Sequence, residues 1–173
     1  LDAARKEMMT ESHLLLHGTC VSVGGAGVLI LGAPGAGKSG LALRLIDEPG
    51  YGISGLLLRG ELVADDQVVV TRVADRLMAT APASLRGKLE IRGLGIVSLA
   101  TLPSAALALV VKLQDHSAIE RLPDGRSFDI LGLALPLVEI DASMASSPAR
   151  IRAALNWLKL PPAARETVAL RHG

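Results

Sequence analysis

Cysteine is nearly missing from this chain: Cys20 is the only one in 173 residues. That excludes an intramolecular disulfide framework and a multi-cysteine zinc site, and it fits a reducing, cytoplasmic setting. As a small hydrophobe, Cys20 is expected to pack in the core. Aromatics are scarce as well, with Tyr51, Phe128 and Trp157 amounting to 2%. A base-stacking RNA-binding sheet is therefore disfavoured, and the core must be built from Leu, Val, Ile and Ala. Charge of one sign is also lacking. The 18 basic and 17 acidic residues leave a formal charge of +1 with no long run, so no footprint for nucleic acid stands out. Nor is there a long apolar run: Leu99 to Val111 is broken by Thr101, Pro103 and Ser104 and falls short of a membrane span. Residues 1–8, which mix Asp2, Arg5, Lys6 and Glu7, resemble neither a signal peptide nor an anchor. They are expected to be a disordered or vector-derived extension, with Met8 or Met9 a natural start. Residues 9–173, in a chain that is 50% hydrophobic, suit one well-buried domain.

What the chain does have is Gly32-Ala33-Pro34-Gly35-Ala36-Gly37-Lys38-Ser39, entered from the apolar run Val28 to Leu31 and followed by Leu41, Ala42, Leu45 and Ile46. This is the full Walker A phosphate-binding pattern, between a strand and a helix as the pattern requires. Glycines let the backbone amides curl inward onto phosphate oxygens, and the helix that follows offers its positive end. Lys38 would hold the outer phosphates, and the Ser39 hydroxyl suits magnesium accompanying a nucleoside triphosphate. A lysine in the first helical turn opposes the macrodipole, which makes best sense with an anion nearby.

Around this loop the pattern predicts strands at Leu14 to Val23 and Gly27 to Leu31, joined by a turn at Gly24-Gly25. The helix after Lys38 should end near Glu48, because Pro49-Gly50 cannot continue it. Further strands are expected at Glu61 to Ala64, Gln67 to Val73, Leu89 to Arg92, Leu107 to Leu113 and Val138 to Ile140. Gly93 and Gly95 should make a flexible exit from Leu89 to Arg92. The polar stretch Gln114 to Phe128 reads as a long functional loop. Ser147 is expected to cap a last helix with Pro148 at its first position and Ile151, Leu155 and Leu158 along one face, ended by Pro161-Pro162. The fold class that follows is α/β, a P-loop nucleotide-binding domain with a mixed central sheet flanked by helices.

A small-GTPase type of guanine reader needs Asn-Lys-x-Asp, yet the only asparagine, Asn156, precedes Trp157. Three other segments decide the matter: His17-Gly18, Val63-Ala64-Asp65-Asp66, and Leu89-Glu90-Ile91-Arg92-Gly93-Leu94-Gly95-Ile96. With the phosphate loop between them in the right order, the chain resembles the HPr kinase/phosphorylase family from about His17 to Ile96. The resemblance implies an ATP-dependent kinase that phosphorylates a serine of the phosphocarrier protein HPr in phosphotransferase-system regulation. Carried over residue by residue, Gly32, Ala33, Pro34, Gly35, Ala36, Gly37, Lys38 and Ser39 bind ATP, and Ser39 with Glu90 helps to hold Mg2+. The Asp65-Asp66 pair supplies the base for the substrate serine, with the balance toward Asp66 and with Asp65 ordering the site or the metal. His17 sits beside this pair. Arg92, Gly93 and Gly95 belong to the family's catalytic loop, and Arg121 in Glu120-Arg121-Leu122 looks like the family's arginine over the active site. His13 and His116 match no role and are expected at the surface.

The family's Arg-Pro-Gly-Arg-Asn-like segment, associated with dephosphorylation, is replaced here by Val138-Glu139-Ile140-Asp141-Ala142-Ser143. Kinase activity is therefore expected first. The family's hexamers rely partly on contacts from the C-terminal end, which is brief here, so a homo-oligomer stays an open alternative. Two other classes compete: a small-molecule kinase using the same phosphate loop, and a non-catalytic, nucleotide-responsive regulator.

Overall fold

A computed structural model describes residues 12–121, 123–161 and 164–165. The residues 1–8 extension lies outside that set. The chain starts as a ribbon, β1 (His13–His17) running into β2 (Thr19–Val23), and turns at Gly24-Gly25 into β3 (Ala26–Leu31). Both glycines have positive φ, 58° and 85°, as the turn requires. The phosphate loop leads into α1 (Lys38–Asp47), then β4 (Gly60–Ala64), β5 (Gln67–Val73) and β6 (Arg76–Thr80). A hairpin follows, β7 (Lys88–Ile91) with β8 (Gly95–Ser98). The chain ends with β9 (Ala105–Leu113), β10 (Arg126–Ile130), β11 (Leu133–Ile140) and α2 (Ser147–Lys159).

The main sheet runs β1-β5-β6-β9-β3-β2-β4, and β9 forks it, pairing with β6 through Ala105 and Ala106 and with β11 through Val110 to Leu113. β3, β9 and β11 are mutually parallel neighbours, and β4 shares their direction because it and β3 both lie antiparallel to β2. Their C-terminal ends therefore line one edge, where a phosphate loop belongs.

β3 and β9 are buried on both faces, as central strands with parallel pairing should be. Val28, Ile30, Leu109 and Val111 meet Leu41, Leu45, Ile151 and Leu155 of the two helices on one side. Cys20, Leu29 and Val110 face Val68, Val70, Leu77 and Ile130 of the curled remainder of the sheet on the other. Leu41 and Leu45 are fully buried one helical turn apart, each worth about 1.5–3 kcal/mol against exposure. Cys20 is buried as expected, and that burial raises its thiol pKa from 9.0 to about 12.

Four local expectations are corrected. Leu14 to Val23 is two strands, because the ribbon breaks at Gly18, where a Cβ would stand 2.9 Å from the Ile30 carbonyl oxygen. The Gly93 and Gly95 exit is an ordered hairpin turn: both glycines have positive φ, 89° and 100°, and the chain returns as β8 against β7. Arg92 thereby falls in the turn rather than in the strand. The stretch Gln114 to Phe128 carries a 3-10 turn at His116–Ala118 and enters β10 at Arg126. Finally, the cap position of α2 is Ser146; the Ser147 hydroxyl donates instead to the Asp141 carbonyl oxygen.

Candidate active site

The ribbon break is where the site forms. His17 still pairs with Gln67 and Cys20 with Ala64, so Gly18-Thr19 and Asp65-Asp66 face one another across an interruption in both ladders. The Gly18 amide donates to the Asp66 carbonyl oxygen (3.1 Å), and the Gln67 amide folds back onto that of Asp65 (2.8 Å). Asp66 is left with φ at 66°, a left-handed conformation that aspartate tolerates better than most side chains.

This kink sends the two neighbouring carboxylates into different surroundings. Asp65 is buried and collects three donors: the Thr19 hydroxyl at 2.8 Å, the Ser39 hydroxyl at 2.9 and 3.1 Å from its two oxygens, and the Glu90 backbone N–H at 3.2 Å. It ties β2, α1 and β7 together. Asp66 is 61% exposed, and its Oδ1 lies 3.4 Å from Nδ1 of the 51% exposed His17. One aspartate is saturated by the protein; the other is available to a ligand.

On the loop, Gly35 and Gly37 take positive φ, 77° and 97°, so its backbone has the curl that phosphate binding needs. The Lys38 ammonium is tucked onto the loop's own carbonyl oxygens, Gly32 at 2.9 Å and Ala33 at 3.0 Å. α1 has no side-chain cap and no acidic residue in its first turn, which leaves its amide end available to an anion.

A cavity of about 550 Å³ joins these parts. His17, Pro34, Gly35, Gly37, Lys38, Ser39, Asp65, Asp66, Glu90 and Arg92 from the sequence reading line it. Gly93 and Gly95 lie beyond it, in the hairpin turn. Arg121 is not among the lining residues: it is exposed at a bend, and its neighbour Glu120 is held by Arg126 at 2.6 Å. Sequence reasoning missed Thr19, Gly40, Leu43 and Ile91 as lining residues. Thr19 was the findable one, standing two positions from His17 on a strand that has to pass the aspartates. Among the described residues no cluster of three His, Cys, Asp or Glu side chains could cage a metal. The hydroxyl of Ser39 and the carboxylate of Glu90 at one cavity instead suit magnesium, which keeps waters and phosphates among its ligands, with Asp65 holding the Ser39 hydroxyl.

Comparison with known proteins agrees with this architecture. The family model for the HPr Serine kinase C-terminal domain matches residues 7–160. An HPr kinase/phosphorylase of Limosilactobacillus reuteri is 36% identical over 157 residues, covering 82% of this chain and 46% of the relative. One of Cupriavidus metallidurans is 37% identical over 140 residues, covering 74% of this chain and 40% of the relative. The chain thus spans less than half the length of these curated relatives. The structure of the Hpr(Ser) kinase/phosphatase from Coxiella burnetii superposes with a TM-score of 0.68 at 25% identity, covering 83% of this chain and 95% of that one. By its sequence, its sheet and the match over residues 7–160, this chain belongs to the HPr kinase/phosphorylase family through the C-terminal domain.

Proposed function

We propose that this domain is a magnesium-dependent kinase that moves the γ-phosphoryl group of ATP to a serine hydroxyl of HPr. The observation that carries the proposal is the contrast between Asp65 and Asp66 at the mouth of the phosphate loop. A carboxylate already holding three donors is poorly placed to accept a proton from a substrate. An exposed one beside a histidine, lining the same cavity as Lys38, is well placed.

In this proposal Lys38 leaves the Gly32 and Ala33 carbonyls to hold the outer phosphates, and the loop amides and the α1 terminus hold the rest. Ser39 and Glu90 would hold magnesium, with Asp65 fixing the Ser39 hydroxyl in place. When bound, magnesium neutralises charge on the phosphates. The serine oxygen forms a bond to γ-phosphorus while the bridging bond to the β-phosphate breaks, ADP leaves, and the serine proton passes to Asp66. His17, against Asp66, orients that carboxylate. Most of the acceleration is positioning and charge stabilisation rather than strong base catalysis. In phosphorolysis an oxygen of inorganic phosphate would bond to the phosphoserine phosphorus while the bond to the serine oxygen breaks, giving pyrophosphate, and Asp66 would carry the proton from the attacking phosphate to the serine oxygen. The replacement of the Arg-Pro-Gly-Arg-Asn-like segment weighs against an efficient reverse reaction in this chain. The cytoplasm, where ATP and HPr meet, is the compartment this proposal requires. Among the described residues, no helix is long and apolar enough to cross a membrane.

Transfer of labelled γ-phosphate from ATP with magnesium to purified HPr tests the proposal. Label on a serine of HPr, reduced at least a hundredfold in Lys38→Ala, is the expected result. Label on small metabolites and none on HPr would point to the small-molecule kinase instead. Nucleotide binding without any transfer would point to a regulator.

A further inference from the structure

The strand order orients a bound nucleotide. β4, with the acidic corner Asp65-Asp66 at its end, lies on one side of β3, and β9 and β11 lie on the other. All four strands end along one edge. A nucleoside triphosphate is a linear chain, so if its γ-phosphate meets Asp66, its nucleoside is directed over the ends of β9 and β11.

Two segments meet there and are locked into one ledge. The Gln114 amide donates to the Ile140 carbonyl oxygen (3.0 Å), and the His116 amide donates to Asp141 Oδ2 (3.2 Å). The Ser143 amide and hydroxyl donate to Asp141 Oδ1 at 2.8 and 2.6 Å. Arg44 of α1 reaches across to the carbonyl oxygens of Ala142 and Met144. The ledge abuts the phosphate loop: a Cβ on Gly37 would lie 3.1 Å from that of Ala142.

Its chemistry is unusual for what it lacks. Both oxygens of Asp141 are engaged within the ledge, which leaves the carboxylate poorly placed to read the N–H edge of guanine. The three aromatic residues lie elsewhere, Tyr51 after α1, Phe128 in β10 and Trp157 in the last half of α2. The ledge exposes Asp115, Ser143 and His116, and the one ring among them is that of His116, at the start of the 3-10 turn.

Building on the nucleotide-binding function above, we propose that Gln114 to His116 and Asp141 to Ser143 form the nucleobase subsite, where His116 stacks on the base with little discrimination between purines. The test is equilibrium binding of the whole chain to ATP, GTP and inorganic tripolyphosphate, each with magnesium, in wild type, His116→Ala and His116→Phe. The wild type should bind ATP and GTP within about threefold of one another and both about tenfold tighter than tripolyphosphate, because stacking tolerates any base. His116→Ala should bring ATP down to the level of tripolyphosphate, whose own affinity does not move, and His116→Phe should restore ATP. The subsite is overturned if His116→Ala leaves ATP affinity unchanged, or weakens ATP and tripolyphosphate alike, which would make His116 a support of the loop. Tripolyphosphate bound as tightly as ATP by the wild type overturns the subsite alone. A wild type that binds none of the three overturns it together with the phosphate-loop function.

Discussion

At its N-terminal end α1 starts from a left-handed glycine, has no side-chain cap and carries a lysine as its first residue. At its C-terminal end the carbonyls of Arg44, Leu45 and Glu48 are taken. There the buried Arg152 of α2 donates to the carbonyl oxygens of Leu45 (3.1 Å), Glu48 and, on the adjoining loop, Leu58 (3.1 Å), and the Glu48 amide closes onto that of Arg44. Burial lowers the pKa of the guanidinium, with Glu48 opposing the shift. The difference separates two uses of one helix. One terminus is left without a side-chain cap or an acidic residue, at some cost in stability. The other is finished for stability alone.

Substitutions at the two ends should therefore fail in different ways. The largest effect is expected at the open end, where Lys38→Ala should lower phosphoryl transfer by about a hundred- to a thousandfold with little change in melting temperature. Parallel kinetics and thermal melts check this. At the closed end, Arg152→Ala strands buried carbonyls and should cost about 3 kcal/mol of stability. Nucleotide affinity at temperatures where the variant is folded should hold. If affinity fell in step with stability, the two ends would not be separable. Gly60→Ala acts at the same end by sterics, since its Cβ would sit 2.1 Å from the Leu45 carbonyl oxygen. Urea unfolding should show a loss of about 1–3 kcal/mol. The smallest effect belongs to Cys20. With its pKa raised to about 12, the folded thiol binds its proton more tightly than the unfolded one, so its contribution is complete below the ordinary value of 9.0 and fades as pH rises toward 12. At pH 8, a thiol reagent should label Cys20 only as fast as the protein unfolds.

Much of this was legible in the sequence, for reasons that differ by residue. Gly32 to Ser39, α1 and the turn at Gly24-Gly25 were readable because local backbone chemistry dictates them. That His17, Asp65, Asp66 and Glu90 gather at one cavity was readable only through family resemblance, since a short acidic or alternating segment has ordinary structural uses. The break at Gly18 was invisible because the feature that marks it, an Ile30 carbonyl too close to leave room for a side chain, comes from across the sheet rather than along the chain. The β7–β8 hairpin was mistaken for a flexible exit because positive φ at Gly93 and Gly95 serves a tight turn and a loose loop equally well in sequence. Arg121 came from a match a few residues long, and nothing in the ladders brings it to the cavity. The distinct lives of Asp65 and Asp66 depend on one left-handed residue, which adjacency in sequence could not reveal.

The most direct measurement is single-turnover transfer from ATP to HPr by Asp66→Asn, with ATP affinity determined on the same protein. Transfer slowed by about a hundredfold with affinity unchanged is the expected result, because the exposed carboxylate would serve the proton and not the nucleotide. Transfer at the wild-type rate would contradict the assignment of Asp66 as the proton acceptor.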